Sequence, residues 1–169
     1  KNNRVIISLP YPHWRSGTLP LSSTLKKMFP IAYEAPRVKF TFIDEIDNER
    51  FPGWVVRQHK YVYGLRDWYH KNNLIPGSLV IVEKGKIPGE ILIHFEKSRQ
   101  NKEWIKTVLI GSDQAVVFAM LKHPISANFN ERMAIIVPDP DALDELWDKK
   151  VYQKEPIEKT ILRIMRELS

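Results

Sequence analysis

Cysteine is absent from this 169-residue chain. Its absence excludes disulfide scaffolds, thiolate-held metals and thiol nucleophiles, and nothing in the composition points to an oxidising compartment. No apolar run approaches the ~20 residues that a membrane-crossing helix needs, and no signal-peptide core opens the chain. Glycine is scarce, with 7 residues and none clustered, so there is no glycine-rich phosphate loop, and no Gly-x-Ser-x-Gly elbow either. The histidines at 13, 59, 70, 94 and 123 lack the paired spacing of zinc sites. Internal repeats and low-complexity tracts are also missing. These absences lead us to expect an intracellular protein (cytoplasm, nucleoid or nucleus) that holds no cofactor and no metal and does not associate with membranes. The first residue is Lys1 rather than Met, so a fragment or processed form is expected, and a catalytic domain could lie outside it.

What the chain does have is positive charge, unevenly placed. The formal net charge is +6. Residues 1–100 carry 16 Lys and Arg against 9 Asp and Glu, whereas residues 101–169 carry 10 against 11. The excess therefore lies in the first part, and such a split suggests a polyanionic partner. A basic chain that is merely soluble is the competing reading.

Short β-type segments dominate the pattern. Arg4–Ser8 reads as a strand, and Pro10, Pro12, Gly17 and Pro20 then enforce an irregular loop. Ser22-Ser23-Thr24 offers a cap to a short helix carrying Leu25, Met28 and Phe29. Residues 37–43 alternate at period two. Trp54-Val55-Val56 is a β-branched run, and Leu65, Trp68 and Tyr69 share one face of a second short helix. Leu79–Val82, Gly89–Phe95 and Trp104–Ile110 complete the strands. The expected fold is mainly β, a barrel of about seven strands with two short helices, over residues 1–111. Residues 112–169 are expected to form an extension: a hairpin pairing 114–121 with 132–137, a helix capped at Pro138–Asp141, and a last helix whose Ile157, Ile161, Ile164 and Leu168 make an apolar stripe. That stripe packs on the parent domain or serves a protein partner or a second copy.

The segment from Pro52 to Val82 organises the rest. Trp54 on a strand, Tyr61-Val62-Tyr63-Gly64 leading into a helix, Trp68 on that helix and Leu74-Ile75-Pro76-Gly77 before the next strand resemble one family. That family is the plant B-three DNA-binding domain of auxin-response factors, with relatives among the effector domains of some restriction enzymes. Thr18-Leu19-Pro20-Leu21, followed by Leu25, Met28, Phe29 and Pro30, extends the resemblance to roughly residues 4–95. The chain departs from the family at Leu65 and Ser78, where Trp and Asp are usual. The resemblance implies a DNA-binding pseudobarrel that grips the major groove of double-stranded DNA with two arms. Here the arms would be residues 10–20 and 57–66, bearing His13, Trp14, Arg15, Ser16, Thr18, Arg57, Gln58, His59, Lys60, Tyr61, Tyr63 and Arg66.

The residue types suit that task independently. Arginine can fork onto guanine and glutamine onto adenine, while Lys, Ser, Thr and Tyr hold phosphates. The competing reading makes Trp14, Tyr61 and Tyr63 core or rim aromatics and the cations a solvated face. Trp54 and Trp68 are assigned to the core. The expected function is a non-catalytic, sequence-selective duplex-binding domain of a transcription regulator or a restriction–modification system. A protein-interaction module with a basic face is the alternative, and binding of single strands by stacking on barrel aromatics is a further one. A metal-dependent nuclease is suggested only by Pro138-Asp139 and Asp148-Lys149-Lys150. The helical spacing of 141–150 turns Asp148 and Lys150 apart, whereas that chemistry needs them in one site.

Overall fold

Alternation along the strands decides which residues meet in the interior. Phe40 and Phe42 are buried while Lys39 is exposed, and Gly53 and Val55 are buried while Trp54 and Val56 are not. A side-chain period of two puts each set on opposite faces of one sheet. The computed structural model describes residues 4–30 and 35–149. Its larger sheet contains β1 (Arg4–Ser8), β2 (Thr18–Pro20), β3 (Val38–Asp44), β4 (Arg50–Val56), β5 (Tyr61–Tyr63), β6 (Leu79–Lys84) and β7 (Glu90–His94). The 7 strands run in the order β1-β6-β7-β3-β4-β5-β2, a mainly-β half-barrel curled around its core. Neighbours are antiparallel except β3 and β7.

Aromatics fill the curl. Phe29, Phe40, Phe42 and Phe51 form a continuous chain with ring centroids 4.9, 4.6 and 5.2 Å apart. Gly53 makes this possible, because a Cβ there would fall 2.5 Å from the Phe42 ring and 2.6 Å from that of Phe40. Among the described residues four helices accompany the sheets: α1 (Tyr11–Ser16), α2 (Ser23–Lys26), α3 (Arg66–Lys71) and α4 (Pro140–Lys149). The cap expected for α2 is present, with the Ser22 hydroxyl accepting from Leu25 N–H at 3.2 Å. The α3 helix is fastened to the end of β3 by Trp68, whose indole N–H donates to the buried Asp44 carboxylate at 2.9 Å.

Several expectations are corrected. Residues 10–20 are not an irregular loop, since they hold α1 and β2. Pro12 falls in the first turn of α1, where a missing N–H loses nothing. Gly17 ends α1 in the left-handed conformation at φ 74°. Pro20 is tolerated because β2 is the last strand of the sheet. Trp54 is not a core residue; the alternation of β4 places Val55 inside and Trp54 on the outer face.

The expected hairpin between 114–121 and 132–137 does not form either. A second sheet contains β8 (Lys102–Ile110), β9 (Val116–Pro124) and β10 (Ile135–Ile136), in the order β10-β8-β9. β9 pairs antiparallel with β8 across the short Gly111–Ala115 turn, and β10 lies parallel on the other side of β8. Closing that turn loses less chain entropy than closing the longer loop after β9. β8 therefore belongs with the later strands rather than with the barrel. Tyr11, Val108, Ile135, Val137 and Leu143 form a second core between this sheet, α1 and α4. Asp139 accepts from Ala142 N–H at 3.0 Å at the start of α4, as its position in sequence suggested. The stripe at 157–168 lies outside the described residues. No helix among the described residues is long and apolar enough to cross a membrane.

Candidate nucleic-acid interface

The two sequence-distant segments lie side by side. β2 pairs antiparallel with β5, with Thr18 opposite Tyr63, Leu19 opposite Val62 and Pro20 opposite Tyr61. Backbone bonds continue at both ends: Leu65 N–H donates to Gly17 O at 3.0 Å and Leu21 N–H to Lys60 O at 2.8 Å. Gly17 is required twice over at this junction. Its φ is positive, and a Cβ would fall 2.7–2.9 Å from the Cβ, N and Cα of Arg66.

Between the segments opens a cleft of about 880 Å³, lined by Pro12, His13, Ser16 and Thr18 on one side and Val56, Tyr61 and Tyr63 on the other, with Pro36 and Arg37. His13 Nδ1 and Thr18 Oγ1 lie 2.6 Å apart across the α1–β2 turn. Burial pushes the His13 imidazole below its ordinary range, so the ring is neutral near pH 7. Tyr63 is held on both sides: Trp54 stacks on it at 5.1 Å, and its hydroxyl accepts from Arg37 at 2.7 Å. Tyr61 and His59 extend the row, stacked at 6.1 Å.

The turn 57–60 joins β4 to β5. Gln58, His59 and Lys60 are exposed on it, Arg57 is half-buried, and Lys60 takes a positive φ of 57°. Arg66 is exposed at the start of α3. Among the described residues, Arg37, Lys39, Lys60 and Arg66 form no salt bridge.

Two of the expected contact residues are engaged inside the protein instead. Arg15 donates to Asp141 at 2.6 Å and to Asp144 at 2.9 Å, tying α1 to α4. Trp14 donates its indole N–H to Leu74 O at 2.8 Å and packs on Tyr11 and His70. It bridges the two cores as a structural bolt. Of the others, His13, Ser16, Thr18, Tyr61 and Tyr63 line the cleft, while Gln58, His59, Lys60 and Arg66 are exposed on the 57–66 segment.

Sequence reasoning missed Arg37 and Lys39. They precede and enter β3, and the register sets Lys39 opposite Trp54, itself opposite Tyr63. One row therefore crosses four strands: Lys39, Trp54, Tyr63 and Thr18. The signal was the matching alternation of Arg37-x-Lys39 and Tyr61-x-Tyr63, which identifies a shared face only once the strands are known to belong to one sheet.

The cleft offers hydroxyls, aromatic faces and the Arg37 cation. No cluster of His, Asp and Glu suited to a metal occurs among the described residues. Comparison with models of protein families, with curated proteins and with solved structures finds no match to this chain.

Proposed function

We propose that this chain is a sequence-selective, non-catalytic double-stranded DNA-binding domain, with α1–β2 and the 57–66 segment as its two arms. The observation that carries the proposal is the adjacency of those arms across one cleft, flanked by cations without carboxylate partners among the described residues. Arg37, Lys39, Lys60 and Arg66 supply phosphate contacts, and Gln58 and Ser16 supply groups able to read base edges. Arg15 takes a structural role in this reading, because Asp141 and Asp144 already occupy it. The seven-strand half-barrel accords with the resemblance to B-three domains and the related effector domains of restriction enzymes. A transcription regulator or the target-recognition part of a restriction–modification system is the corresponding setting.

A second reading draws on the row Trp54, Tyr63, Tyr61 and His59. Aromatic rows of this kind stack the bases of single strands without regard to sequence. Selection of bound duplexes from a random pool, followed by competition with single strands of the selected sequence, separates the readings. An enriched motif that single strands fail to displace supports duplex recognition. Displacement by single strands of any sequence would replace it with the stacking reading.

A further inference from the structure

The β9 strand lies at one edge of the second sheet, with no further strand beside it among the described residues. Gly111 N–H donates to Ala115 O at 2.8 Å, so 111 and 115 form a hydrogen-bonded pair of the β8–β9 ladder. Antiparallel pairs alternate. Ala115, Val117, Ala119 and Leu121 therefore aim their backbone groups at β8, while Val116, Phe118, Met120 and Lys122 aim theirs outward. No third strand receives them in the sheet order β10-β8-β9.

Over most of its length the strand lacks the usual protection of an edge, since a charge and a proline enter only at its end, as Lys122 and Pro124. From Gln114 to Leu121 there is neither a charge nor a proline. Val117 is 49% exposed, Met120 53% and Leu121 38%. Native edges of this length are normally shortened, bulged or charged, because an open ladder with apolar flanks pairs with another strand.

We infer that β9 pairs antiparallel with β9 of a second copy of this chain, making a continuous six-stranded sheet across a twofold axis. The strand is complementary to itself. With the axis at Ala119, Phe118 faces Met120 of the second copy and Val116 faces Lys122, all through outward backbone groups. Ala119 then meets its own counterpart at the close, non-hydrogen-bonded position, where a small side chain fits. Val117 faces Leu121, so both exposed residues are covered, and no two cations are opposed. The face is isologous, as a closed dimer requires. A single strand pair lies below the ~1,600 Å² of a standard interface, so the equilibrium falls in roughly the micromolar range.

Sedimentation of the full chain across about 1 μM to 1 mM tests this. The expected result is a concentration-dependent shift from 19.8 kDa to twice that mass, with concentration-dependent protection of the Val116, Phe118, Met120 and Lys122 amides from hydrogen exchange. The double substitution Val117→Lys with Leu121→Lys opposes like charges across the axis and is expected to weaken self-association roughly 100-fold. Val117→Glu with Leu121→Lys sets opposite charges face to face and is expected to recover at least about tenfold of that loss. Both positions are exposed, and an unchanged melting temperature at low concentration verifies the fold of each variant. A chain that stays at one mass throughout overturns the inference. So does a dimer indifferent to the paired lysines, which would place the contact elsewhere, or a Glu/Lys variant no better than the Lys/Lys one. A strand peptide from another protein that binds β9 while the chain alone stays monomeric would identify a different occupant.

Discussion

Removing one oxygen atom, by Tyr69→Phe, tests how the first arm is held. The Leu21 and Leu65 bonds place residues 17, 19 and 21 on the side of β2 that faces β5, so the Thr18 carbonyl points away from the ladder. There it accepts from the Tyr69 hydroxyl at 2.6 Å. Tyr69 is fully buried and Thr18 is 8% exposed, so water does not readily replace the lost donor. An orphaned buried acceptor costs about 1–3 kcal/mol, whereas the space left by one hydroxyl adds little. Each kcal/mol corresponds to about 2–4 °C in a domain of this size. Calorimetry of the Phe variant is thus expected to show melting lowered by roughly 4–8 °C, for about 2 kcal/mol. Duplex affinity is expected to fall with it, since Thr18 and the α1 turn lose their anchor. A change under about 0.5 kcal/mol would refute the reasoning, because the carbonyl must then have another partner.

Four further outcomes follow from the same contacts. Burial raises the Tyr69 phenol well above 10, and burial followed by the nearby Asp144 carboxylate raises Tyr11 to about 12. Both phenols keep their protons in the folded chain where the unfolded chain releases them, so this stability is complete below about pH 10 and is lost as pH rises further. Denaturant titrations above that pH are expected to show the decline, with a shallower slope in Tyr11→Phe. Gly17→Ala, which forces a Cβ onto Arg66 in a positive-φ conformation, is expected to lose about 1–3 kcal/mol, and thermal melting measures it. Gly53→Ala disturbs the Phe40 and Phe42 rings for a similar loss, but without altering the residues of the cleft. Asp141→Asn with Asp144→Asn frees Arg15 and removes two negative charges; about 1 kcal/mol or less of stability is lost while duplex affinity rises in a filter-binding assay.

The fold was legible where local pattern decides it. Alternation marked Arg37–Ile43, the β-branched run marked Val55-Val56, and Leu65, Trp68 and Tyr69 gave the face of α3. The α1 helix was hidden because Pro10, Pro12 and Gly17 read as breakers, although each occupies a boundary position where the helix tolerates it. The phase of β4 was misread because a tryptophan suggests the core, while only the register with Phe40 and Phe42 reveals that Val55 points inward. Strand pairing beyond neighbours was not legible at all: β9 chose β8 through turn length, which hydropathy does not encode. The candidate site shows the same division. The resemblance brought the two arms together in outline, and Tyr61 and Tyr63 of the second arm do line the cleft. The capture of Arg15 by α4 depends on a contact between residues far apart in the chain, and no feature around residue 15 announces it.

The measurement that bears most directly on the account is duplex affinity as a function of salt, for the unaltered chain and for Lys60→Ala and Arg66→Ala. Log K is expected to fall linearly with log salt concentration at a slope of about −0.9 per phosphate neutralised. Each substitution is expected to lessen that slope by about 1 without lowering the melting temperature. A flat response, or no duplex binding at low salt, would contradict it.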